Sequence, residues 1–188
     1  GSGLFLIGIS LLYGITGHLL MENIQQAILE LVQTGEYAFA FAVVIGMIII
    51  GISIKSAVFP FHFMLVSAHP AATPASSGIL SGLVLKSFIL LNIKMFYCVF
   101  TIDLIRSLKI TNVLFLFGLI GMVVGSVCAL KERRIKHMLA YSSAAQIGYI
   151  YMGLGLGNHE GMVAACFHIL AHAVTRQRQH SQPERSRT

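Results

Sequence analysis

Apolar residues run through this chain in long blocks broken by short polar islands. The blocks predict helices, because they lack the strict polar–apolar alternation of barrel strands. A bilayer core of ~30 Å needs about 20 mostly apolar residues per helix. By that measure six spans are predicted, near 2–20, 36–58, 77–100, 110–130, 139–157 and 160–175. Between them lie Met21–Glu36, which reads as a polar loop or short surface helix, a loop marked by Asp103, Arg106 and Lys109, and the basic loop Lys131–His137. The pattern predicts an all-α, polytopic transmembrane helix bundle. It ends at Thr175, and the polar tail 176–188 cannot bury a core and is expected to be disordered.

Composition agrees: 56% of the 188 residues are hydrophobic and 11% charged. A soluble domain of this length rarely has such a balance. The net charge of +6 is uneven, since four arginines and one glutamate fall in the last thirteen residues. Basic clusters in such a chain set topology rather than bind nucleic acid. With the positive-inside rule, Lys131–His137 is expected to be cytoplasmic. Alternation then puts 21–36, with three glutamates and no lysine or arginine, outside, 59–76 inside and 101–109 outside. The expected location is the cell membrane, multi-pass. Cys98, Cys128 and Cys166 lie far apart in apolar runs and read as small buried hydrophobes. The chain opens within an apolar span and turns polar in mid-helix after Thr175, so it reads as a piece of a longer protein. Glycines four apart, Gly78 with Gly82, Gly121 with Gly125 and Gly153 with Gly157, predict close helix packing.

Polar residues inside the spans are the candidate chemistry. Lys55 lies in the apolar run Ala38–Val66, five residues before Pro60. Pro60 has no N–H for the Ser56 carbonyl and disfavours helical geometry at Phe59, so the helix should break between Lys55 and Pro60. Broken backbone at membrane depth is tolerated where it is buried in protein or lines a wet cavity. A lysine there is either a snorkelling side chain or part of an ion path. Lys86 lies too far inside its span for easy snorkelling, whereas Lys94 sits near the outer end. His168 and His172 share one helix face. Zinc would need a third ligand that does not stand out, and haem ligation has no further support, so no metal or cofactor is expected. Imidazole titrates near neutral pH, which suits a proton relay. His62, just past the break, serves either that relay or a freed carbonyl.

Three stretches resemble a known family. They are Lys55-Ser-Ala-Val-Phe-Pro-Phe-His62 with Ala68-His69-Pro70-Ala-Ala-Thr-Pro74 and Ser81–Lys86, then Ile135–Tyr149, then His168-Ile-Leu-Ala-His172. In order and spacing they resemble the antiporter-like membrane subunits of respiratory complex I, a superfamily that includes Mrp-type cation/proton antiporter subunits. The resemblance covers residues 1–175 and implies part of an inverted-repeat antiporter fold with a proton relay at Lys55, Lys86, His168, His172 and His62. It implies no redox centre in this chain, with other membrane subunits, the lipid bilayer and protons, or sodium ions, as partners. Two stretches depart from the family: Met64–Ala68 replaces a Trp-Leu-Pro-Asp-Ala run, and Arg134 replaces an acidic residue. The His69-Pro70 segment and the setting of Lys86 lean toward the Mrp-like branch. From the residues alone, a haem-binding electron-transfer subunit and a non-transporting membrane scaffold stay open as alternatives. A haem absorption band would separate the first from a proton path.

Overall fold

The structure, a computed structural model, describes residues 1–34, 38–71 and 83–181, with side chains for 1–32, 39–67 and 83–175. The described residues form nine helices and no strands: α1 Ser2–Thr16, α2 Met21–Thr34, α3 Ala38–Lys55, α4 Phe63–Ala71, α5 Leu85–Cys98, α6 Ile102–Ser107, α7 Ile110–Lys131, α8 Ile135–Gly155 and α9 His159–Ser181. The all-α class expected from the sequence is therefore observed. The six expected spans are more interrupted than the pattern suggested. Among the described residues only α7 is long and apolar enough by itself to cross a membrane; α1 and α2, bent by 61° at their junction, would together make a second.

Local causes for these boundaries are visible. Gly17 stops α1 in the left-handed conformation at φ 71°, its N–H bonded to the Tyr13 carbonyl. The acidic stretch after it is an amphipathic helix rather than a loop, with Ile24 and Ile28 buried. The basic loop shrinks to residues 132–134, because α8 already starts at Ile135. At the other end α9 runs on to Ser181, past the boundary at Thr175, while residues 182–188 lie outside the described residues. The Gly78–Gly82 pair also lies outside them.

The core gathers one face of each long helix. From α3 come Phe41, Ile45, Ile48 and Ile52, at spacings of four, three and four, the repeat of a single helical stripe. Leu85, Ile89 and Phe96 of α5 and Ile147, Ile150 and Tyr151 of α8 meet it. The tightest pair is α7 against α8. The buried positions of α7 are Thr111, Leu114, Gly118, Gly121 and Gly125, a strict alternation of three and four that makes a narrow heptad seam. A Cβ on Gly125 would stand 2.8 Å from the Ala145 backbone nitrogen, and one on Gly148 2.5 Å from that of Met122. Glycine is what lets these backbones touch. Away from the seam α7 turns Val113, Leu116, Val123 and Leu130 outward, at 51%, 53%, 51% and 88% exposure. A helix apolar on its outer face as well as its seam belongs in a non-aqueous surrounding.

The helix break falls where the sequence put it, through a different agent. α3 ends at Lys55, and Ala57 takes the left-handed conformation at φ 58°. The Val58 N–H bonds to the Ser53 carbonyl at 3.1 Å and the Ala57 N–H to the Ile54 carbonyl at 3.3 Å, the paired bonds of a Schellman cap. Alanine there costs about 1–2 kcal/mol in backbone strain. The helix thus stops ahead of Pro60, which only keeps it from resuming before α4.

Candidate functional site

The candidate relay residues divide between the two sides of α5. On one side, Lys55 is the last residue of α3 and half-buried. Its Nζ lies 4.8 Å from the centre of the Phe88 ring, within range of a cation–π contact. A cavity of about 420 Å³ opens beside it, lined by Ile54, Leu65, Leu85 and Phe88 among others. On the other side, Lys86 is 4% exposed in the first turn of α5. Lys86 and Phe88 are two residues apart, roughly 200° around the helix, so α5 stands between the two lysines.

Lys86 lies within electrostatic reach of His168 on α9. The His168 Nε2 is 2.6 Å from Oε1 of Gln146 on α8, and the imidazole tilts against the Tyr149 ring at 5.6 Å. Groups of α8 and α9 are thus in direct contact, with Lys86 of α5 near enough to act on the imidazole through its charge. His172, one turn further along α9, is buried at 9% exposure. The four-residue spacing did place both histidines on the inner side of the helix.

His62 stands apart from the lysines. It sits beyond the break, immediately before α4, with its carbonyl receiving the N–H groups of Leu65 and Val66. Its ring stacks on Phe59 at 5.5 Å and Phe63 at 4.5 Å and lies beside the Pro60 carbonyl. Tyr141 of α8 is 6.4 Å away. These contacts suit a residue that braces the break. Residues 68–82, including His69, lie outside the residues with described side chains.

A second polar group sits between Lys55 and α8, and sequence reading missed it. The Tyr151 hydroxyl is 2.7 Å from Ser56 Oγ and receives an amide N–H from Asn92 at 3.2 Å. All three residues are 0% exposed. In the sequence Tyr151 is one more aromatic in an apolar run, and Ser56 is 95 residues away; no local pattern links them. The signal that could have pointed to it is the asparagine itself, since a buried amide requires partners. Among the described residues no group of three or more His, Cys, Asp or Glu side chains is placed to hold a metal ion.

Comparison with known proteins matches this chain to a family. The chain is 32% identical over 171 residues to NAD(P)H-quinone oxidoreductase subunit 5 of the Ranunculus macranthus chloroplast, a match covering 90% of this chain and 22% of the relative. The Chloranthus spicatus counterpart is 33% identical over 172 residues, covering 91% and 22%. The chain thus spans about a fifth of the length of the curated relatives it matches. Among solved structures, a chain of the Mrp complex from Dietzia sp. DQ12-45-1b superposes with a TM-score of 0.81 at 26% identity, over 95% of this chain and 32% of that one. The family profile described as NADH:quinone oxidoreductase/Mrp antiporter, TM, matches residues 1–178, so this all-helical membrane chain belongs to the antiporter-like subunits shared by complex I and Mrp systems.

Proposed function

We propose that this chain is part of a proton-translocating membrane subunit, working beside other membrane subunits in a complex I-like quinone oxidoreductase or an Mrp-type antiporter. The observation that carries the proposal is the His168–Gln146 hydrogen bond between two helices, with the buried Lys86 of a third within electrostatic reach of the imidazole. A buried lysine amine within electrostatic reach of an imidazole gives two exchangeable protons inside an apolar bundle. Each lies on a separate helix, so a shift of one helix changes the energy of the proton on the other. Lys55, across α5, supplies a further titratable amine beside a helix break and a cavity. His172 extends the row along α9, and His62 braces the break. The likeness reaches both branches, with chloroplast oxidoreductase subunits as sequence relatives and an Mrp complex as structural neighbour. The ion is a proton in either branch, with sodium as the second ion of an antiporter.

In the lipid bilayer the six apolar stretches of the sequence serve as the crossing segments, the one carrying Lys55 being interrupted at Lys55–Pro60. Proton uptake into vesicles containing the assembled complex tests the proposal. Lys86→Ala is expected to lower uptake while leaving membrane insertion unchanged. Uptake at the parental rate would remove Lys86 from the path and the proposal with it.

A further inference from the structure

The Tyr151 node is buried beside the relay, but its own groups hold no amine or imidazole. Its hydrogen bonds have one consistent direction. Ser56 Oγ gives its single proton to the Ser53 carbonyl at 3.2 Å. Asn92 Nδ2 gives a proton to the Tyr151 oxygen. The Tyr151 proton is then left for Ser56 Oγ, at 2.7 Å. The chain runs from an amide N–H to a backbone carbonyl. Neither end releases or takes up protons at working pH, so the node does not conduct them.

The node ends, however, at a telling place. The Ser53 carbonyl also receives the Val58 N–H at 3.1 Å, the long bond of the cap that stops α3. Both of its lone pairs are thus engaged, one by the cap and one by the chain from Tyr151. Lys55 is the residue just before Ser56, in the turn this carbonyl closes. Asn92 lies four residues after Phe88, on the same face of α5, and Phe88 is the ring under the Lys55 ammonium. One hydroxyl on α8 therefore ties the strained end of α3 to the face of α5 that receives Lys55.

We propose that Tyr151 is a positioning residue for proton transport: its hydroxyl holds the last turn of α3, and Lys55 with it, in place against α5. The proposal rests on Lys55 belonging to the proton path. Three variants of the assembled complex test it. Tyr151→Phe keeps the ring and removes only the hydroxyl, and is expected to lower proton uptake roughly tenfold to a hundredfold, the size of effect a displaced reacting group produces. It also leaves the Asn92 amide without its partner, which costs stability. Tyr151→Phe with Asn92→Leu removes that second cost. The double variant is expected to recover the thermal stability of the parent and not its uptake. Parental uptake in Tyr151→Phe, or recovery of both properties in the double variant, would make Tyr151 a packing residue and overturn the inference. Lys55→Ala, measured alongside, separates the two proposals. Lost uptake there with normal uptake in Tyr151→Phe sinks only the role of Tyr151, whereas normal uptake in Lys55→Ala sinks the role of Lys55 as well.

Discussion

At the scale of single residues, the energetics of Lys55 argue for use rather than ornament. A lysine at the centre of a bilayer costs ~3 kcal/mol on insertion scales. The contact with the Phe88 face returns about 0.5–2 kcal/mol, less than that cost. Removing the amine should therefore leave insertion intact, and Lys55→Ala is expected to insert normally while proton uptake into vesicles falls. Lys55→Arg should be nearly as harmful as alanine, because a guanidinium keeps its proton at any working pH. Lys94, exposed in the C-terminal half of α5, should tolerate alanine with little change. Equal uptake by Lys55→Ala and the parent would return Lys55 to a snorkelling side chain at a helix end.

At the scale of elements, packing depends on where glycine permits contact. A Cβ added at Gly118 would collide with the Met152 backbone nitrogen, and one at Gly155 with the Phe115 backbone nitrogen. Backbone atoms cannot swing aside as a flexible side chain can. Gly118→Ala is therefore expected to force α7 and α8 apart and cost at least about 2 kcal/mol, read as a lowered thermal unfolding temperature of the assembled complex. Gly14→Ala is the control: nothing lies within 4 Å of its added Cβ, so it should be neutral or slightly stabilising, since alanine is the better helix former. Loss of stability in both variants alike would mean that helix contact is not the cause. The same pair of helices shows what the sequence could and could not tell. Of the glycine pairs four apart, Gly121 and Gly125 are both in the seam, whereas Gly157 lies beyond the end of α8 in the left-handed conformation and is no helix-packing partner of Gly153. The tightest contacts, at Gly118 and Gly125 on α7 and Gly148 and Gly155 on α8, recur at seven instead, and this heptad was readable in the letters. The break after Lys55 was legible from Pro60. Its agent, Ala57, was not, because alanine has no preference for the left-handed conformation and adopts it here inside a cap closed by Ser53. The His168–Gln146 bond, and the approach of Lys86 to within electrostatic reach of it, depend on how three helices assemble, which periodicity along one chain does not encode.

At the scale of the whole molecule, the distribution of charge predicts an orientation. The turn between α7 and α8 carries Lys131, Arg133 and Arg134, with Lys136 in the first turn of α8. The amphipathic α2 has Glu22 and Glu30 and no basic residue. Lysine and arginine in short loops are held on the cytoplasmic side during insertion, while acidic residues exert little pull. The turn between α7 and α8 is thus expected at the cytoplasmic face, and α2 at the opposite one, by alternation through the broken segment, α5 and α7. The exposed positions Arg133 and Glu30 offer the test. In a background with Cys98, Cys128 and Cys166 replaced, a cysteine at position 30 should react with an impermeant thiol reagent added to intact cells. A cysteine at position 133 should react only after the membrane is opened. The reverse result would invert the orientation and place the Lys131–Lys136 cluster outside. Reaction of both cysteines from the same side would instead require the crossings between α2 and the α7–α8 turn to be recounted, because the broken helix would then have to turn back within the bilayer instead of crossing it.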